Sequence, residues 1–161
     1  MVSAGGCVSC ENKRKSKSMT GSDKMNLLFF LTPKANCYYL YDDFTVRQAL
    51  ERMESAGYTA LPILRRDGSY CGTLTEGDLL WAVKNLCIMD MRETEKYNIM
   101  DIAHRKYYVP VSVTTDIDEL VTRAIDQNFV PVVDDKSAFI GIVTRRAILR
   151  CHPLYKEGAA V

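Results

Sequence analysis

Apolar and polar positions recur along this chain in two matching halves. Over 45–53, Val46, Ala49, Leu50 and Met53 are spaced three or four apart, which places them on one face of a helix. Over 116–124, Ile117, Leu120, Val121 and Ala124 do the same. A short alternating run precedes each helix, at 37–41 and at 108–113, and predicts a strand. Two more strands follow, at 60–64 and 70–74 in the first half and at 130–133 and 139–143 in the second. The polar tetrads Arg65-Arg66-Asp67-Gly68 and Asp134-Asp135-Lys136-Ser137 supply the turns between them. A last helix is expected to start at Thr75 and again at Thr144.

The second half repeats the first. Pro62, Gly72 and Thr75 return as Pro131, Gly141 and Thr144, all displaced by 69 positions without a gap, while the upstream helices match at a displacement of 71. The helix-to-strand loop is therefore two residues shorter in the second half, at a place where length changes cost little. A β-α-β-β-α unit of about 60 residues cannot cover both faces of its sheet alone. The expected fold is α+β, with two β-α-β-β-α repeats packed as a pseudo-twofold pair. The boundaries read as a flexible, disordered N-terminal tail over 1–25, repeat 1 over 26–92, repeat 2 over 93–153 and a C-terminal tail over 154–161.

Charge and composition narrow the function. With 21 basic and 20 acidic residues the net charge is +1, and five of the bases (Lys13, Arg14, Lys15, Lys17, Lys24) lie in the N-terminal tail. This argues against nucleic acid or anionic lipid as a partner. The longest apolar run, 27–31, falls far short of the ~20 residues of a membrane span. The six cysteines are spread too widely for a disulfide framework, which suggests a reducing, cytoplasmic setting. Cys7 and Cys10 form a CxxC without a second ligand pair, and Cys151 with His152 would be a makeshift substitute, so no metal site is expected. The histidines are His104 and His152, and there is no Gly-x-Ser-x-Gly elbow, so an enzyme is not expected.

The segments Pro62…Gly72-Thr73-Leu74-Thr75-Glu76-Gly77-Asp78 and Pro131…Gly141-Ile142-Val143-Thr144-Arg145-Arg146 resemble a tandem pair of CBS domains, a Bateman module, covering nearly all of 27–152. Together with Gly57-Tyr58-Thr59-Ala60-Leu61-Pro62, they are similar to small stand-alone bacterial CBS proteins that bind cyclic di-AMP. The resemblance implies regulation rather than catalysis, no catalytic cofactor, and an adenine nucleotide (AMP, ADP, ATP or cyclic di-AMP) bound between the repeats. It also implies a homodimer, with contacts near Met53 and Ala124, that signals to an unidentified protein partner. The alternative is a structural dimerisation module with empty clefts.

By the same resemblance, one cleft joins Thr144, Arg145 and Arg146 to Asn36, Tyr38, Thr59, Ala60, Leu61 and Pro62, with Leu61, Ile63 and Ile142 as apolar walls for the base. The other joins Thr75 and Asp78 to Tyr107, Val109, Asn128, Phe129 and Val130. The residues themselves allow two readings of Thr75-Glu76-Gly77-Asp78: a capping box at a helix start, or a hydroxyl and carboxylate for a ribose. At Thr144 the acidic partner is replaced by Ala147, and two arginines occupy the first helical turn, where the helix dipole disfavours cations. The expected compensation is a ligand phosphate held by guanidinium forks. The alternative is that the arginines reach solvent or pair with Asp134 and Asp135.

Overall fold

The computed structural model describes residues 27–102 and 107–151. The expected tails, the Cys7/Cys10 pair, His104 and His152 lie outside the described residues. After a 3₁₀ turn at Leu27–Phe29 come β1 (Leu31–Pro33), a second 3₁₀ turn at Lys34–Asn36, β2 (Leu40–Tyr41), α1 (Val46–Ala56), β3 (Ala60–Leu64), β4 (Tyr70–Thr75) and α2 (Glu76–Asn85). A 3₁₀ segment at Met91–Lys96 leads to β5 (Val111–Ser112), α3 (Ile117–Asp126), β6 (Phe129–Val133), β7 (Phe139–Thr144) and α4 (Arg145–Cys151). The predicted α+β class and two repeats are present. The strands expected at 37–41 and 108–113 shrink to two residues each. Cys37 N–H closes the 3₁₀ turn onto the Lys34 carbonyl, and Pro110, lacking an N–H, immediately precedes β5.

Two sheets form, β2-β3-β4 and β1-β7-β6-β5. In each, the strand before the helix runs parallel to the one after it, Leu40 opposite Ile63 and Val111 opposite Val132, and a hairpin adds the antiparallel neighbour. The pseudo-twofold is visible in the backbone. Ser69 bridges Ala138, its own counterpart 69 positions on, and the flanking bonds match: Tyr70 N–H donates to Ser137 O at 3.2 Å and Phe139 N–H to Gly68 O at 2.9 Å. Gly68 and Ser137 both take left-handed φ, 91° and 64°. The rings of Tyr70 and Phe139, again equivalent positions, stack 6.3 Å apart across the axis.

Each repeat has its own core, and each core borrows from the other repeat's lead-in. Leu40, Val46, Met53, Ile63, Leu74 and Leu79 surround one, completed by Ile99 and Ile102 from the chain entering repeat 2. Val111, Leu120, Val130, Val132, Val143 and Ile148 surround the other, completed by Leu27 from the chain entering repeat 1. Backbone bonds anchor the first loan, with Val46 N–H on Tyr97 O and Ile99 N–H on Phe44 O. Strand β1 belongs to the second loan, since it pairs antiparallel with β7, Leu31 opposite Val143 and Pro33 opposite Gly141. This approach fixes glycine at 141, where an added Cβ would overlap the Thr32 carbonyl oxygen. The sequence pattern did not predict β1, a three-residue edge strand ending in proline, a position that tolerates the missing donor.

Candidate functional site

A cavity of about 190 Å³ lies where the repeats meet. Its walls come from Thr32, Asn36, Cys37 and Tyr38 ahead of β2, from Tyr58, Thr59, Ala60, Leu61 and Pro62 at the entry to β3, and from Asn128, Phe129, Ile142 and Thr144 of repeat 2. Seven residues assigned to the first cleft, namely Asn36, Tyr38, Thr59, Ala60, Leu61, Pro62 and Thr144, are thus brought together. Asn128 and Phe129, assigned on the sequence to the other cleft, line this cavity too. Ile63, expected as a wall, is wholly buried in the first core instead. Thr32, Cys37 and Tyr58 are additions; Tyr58 follows Gly57 directly, and its ring meets that of Tyr38 at 5.9 Å.

The lining has an apolar floor and a polar rim. Ala60, Phe129 and Tyr108 cluster with Ile142 at the junction. The Thr59 carbonyl accepts from Glu76 N–H and the Asn128 carbonyl from Arg145 N–H, both at 3.0 Å, which leaves each oxygen a second lone pair. Thr144 Oγ1 accepts from Ala147 N–H at 3.2 Å, half of a capping box. Tyr38 and Tyr58, both substantially exposed, offer ring faces, and the Arg52 guanidinium lies 5.3 Å from the Tyr38 centroid. The Cys37 thiol is within 3.4 Å of the Thr32 and Pro33 carbonyls, and burial pushes its pKa up, so it stays neutral near pH 7.

The arginines do not line this cavity. Arg145, Arg146 and Arg150 lie on an adjoining open depression of about 540 Å³ that shares Asn128 and Thr144 with it. The expectation that a phosphate compensates both arginines is corrected for Arg145. Its Nε donates to Ala124 O at 2.7 Å and Gln127 O at 3.2 Å, and one terminal nitrogen donates to Ile125 O at 3.2 Å. A cation placed at the α4 start is thereby also at the C-terminal end of α3, where the dipole and free carbonyls favour it. Pairing with Asp134 does not occur either; that carboxylate accepts from Lys136 and Ala138 N–H groups in its own turn. Arg146 is exposed, and neither it nor Arg150 has a partner among the described residues.

Residues of the second set are dispersed. Thr75 and Asp78 form the capping box: Thr75 N–H and Oγ1 donate to Asp78 Oδ2 at 3.0 and 2.7 Å, and Asp78 N–H returns to Thr75 Oγ1 at 3.2 Å. Asp78 is 1% exposed. Tyr107 and Val109 line a groove beside Asp118, Thr122 and Asp126 of α3. Val130 is a correction, because it is fully buried in the second core. Strand alternation turns Val130 and Val132 inward together and leaves Phe129 on the cavity face.

The family model for the CBS domain matches residues 31–85 and 99–153. No curated protein sequence matches significantly. Among solved structures, a CBS domain protein from Streptococcus pneumoniae has 27% identity and a TM-score of 0.69, with 76% of this chain and 83% of that one covered. The CbpB protein of Listeria monocytogenes, in complex with c-di-AMP, has 21% identity and a TM-score of 0.71 over 81% and 97% of the two chains. CBSX2, in complex with AMP, has 23% identity and a TM-score of 0.65 over 81% and 98%. With both repeats matched and the paired fold shared by these structures, the chain belongs to the CBS-domain family.

Proposed function

We propose that this protein is a regulatory adenine-nucleotide sensor. The adenosine occupies the cavity between Tyr38, Thr59–Pro62 and Thr144, and the phosphates lie over Arg146 and Arg150. The observation that carries the reading is the junction of that cavity, walled by both repeats, with a depression holding two guanidinium groups, Arg146 and Arg150, that have no partner among the described residues. AMP, ADP, ATP and cyclic di-AMP all present this chemistry, and the CbpB and CBSX2 complexes contain ligands of this class. Its output is a contact with a protein partner that depends on occupancy, in regulation rather than catalysis. The free thiols of Cys37, Cys71 and Cys87 support a cytoplasmic setting.

A homodimer accompanies this role. Leu50, Met53, Leu79, Leu80, Val83 and Met91 line an apolar groove between α1 and α2, and Leu80 and its counterpart Leu149 are both exposed, at 64% and 46%. Matched exposed leucines on a pseudo-twofold body suit a symmetric docking face. The same groove favours the second reading, a dimerisation module with empty clefts. Thermal unfolding with AMP, ADP, ATP, cyclic di-AMP, S-adenosylmethionine and NAD separates the two. A nucleotide at 100 times its dissociation constant adds about 2.7 kcal/mol, whereas a flat response to all six overturns the sensor.

A further inference from the structure

Helices α1 and α3 occupy equivalent places and leave equivalent carbonyls open in their last turns. After α1 the chain takes a left-handed φ of 66° at Gly57, whose N–H meets Met53 O at 2.9 Å and Glu54 O at 3.2 Å. Repeat 2 lacks counterparts of Gly57 and Tyr58, and after α3 the chain goes straight to extended Gln127, with φ −113° and ψ 139°. Arg145 reaches back from β7's end instead. Its guanidinium takes the carbonyls of Ala124, Ile125 and Gln127, while its backbone N–H takes that of Asn128. The backbone bond has its counterpart in repeat 1, Glu76 N–H on Thr59 O, and Gln127 N–H meets Arg123 O, so what repeat 2 adds is the guanidinium across the α3–β6 connector; Asn128 and Phe129, which leave that connector, wall the cavity.

We infer that Arg145 is a positioning residue: it replaces the missing left-handed cap and fixes the Asn128–Phe129 wall of the ligand cavity without contacting ligand. Phosphate recognition then belongs to Arg146 and Arg150. The binding consequence rests on the nucleotide reading of the cavity; the capping consequence stands by itself.

The test compares adenosine with AMP by calorimetry on the full chain. Arg145→Ala is expected to weaken both by the same factor, about tenfold for loss of a charge-assisted set, since the damaged wall is common to both. Arg146→Ala weakens AMP and leaves adenosine unchanged. Inserting Gly-Ser between Gln127 and Asn128 in the Arg145→Ala background returns the left-handed cap, and is expected to restore both affinities and the melting temperature. Loss of AMP affinity with adenosine binding intact in Arg145→Ala would make it a phosphate ligand and overturn the inference, as would an insertion that folds but restores nothing. Amide exchange at 127–129 decides without any ligand. Faster exchange in Arg145→Ala supports the role, and an unchanged rate overturns it even where the insertion fails to fold. If the unmodified protein binds neither adenosine nor AMP, the nucleotide reading falls, and the exchange measurement still decides for Arg145.

Discussion

The two repeats close the same helix ends by different means. At the α1 end a glycine folds the backbone onto its own carbonyls, and at the equivalent α3 end a guanidinium arrives from 18 to 21 residues away. At the helix starts, α2 has a complete box between Thr75 and Asp78, and α4 only the Thr144 half. Repeat 1 thus secures these ends with neighbouring residues, and repeat 2 secures one through tertiary contact. A duplicated unit that loses a local device can keep its shape if a side chain from the next element supplies the same hydrogen bonds.

The contrast is sharpened or broken by substitution. The largest effect is expected at Gly141→Ala, where the new methyl meets the Thr32 carbonyl and forces β1 off β7. A loss of about 3 kcal/mol in denaturant unfolding is expected, and a loss under 1 kcal/mol would mean that β1 is not firmly paired. Asp78→Ala removes a buried box partner and is expected to cost about 2 kcal/mol, measured in the same way without ligand. Gly57→Ala strains the left-handed position, although nothing lies within 4 Å of the new methyl, and is expected to cost about 1 kcal/mol. The smallest and opposite effect belongs to Ala147→Asp, which completes the second box: a gain of about 0.5–1 kcal/mol is expected. No gain would show that α4 does not need the local cap that α2 has.

What could be read from the sequence follows the range of the interactions. The hairpins and the Thr75–Asp78 box depend on residues within a few positions of each other, and they appear as read; the 69-residue displacement is legible because both copies carry the same local pattern. The shorter loop was equally legible as a count. What the count could not reveal is that Arg145 fills the gap, because its acceptors lie on another helix and the dipole argument at α4 alone called for an anion. Strand β1 pairs across more than a hundred residues, Leu31 with Val143, so no local pattern marks it. The resemblance puts Val130 in a cleft beside Asn128 and Phe129, but successive strand residues face opposite ways, and its apolar neighbours Val132 and Val143 hold its side chain in the second core. Tyr58 lies within the Gly57–Pro62 segment that carries the resemblance, yet only the fold brings its ring against Tyr38.

The loan of Leu27 to one core and of Ile99 and Ile102 to the other has a topological consequence. The two units that look separate along the chain are clasped in space, and the unit of duplication is not the unit of folding. A nick between Leu86 and Met91 would give two fragments that each carry part of the other's interior: Leu27 and β1 on the first, Ile99 and Ile102 on the second. Neither fragment has a complete interior by itself, so each would need the other to close its core.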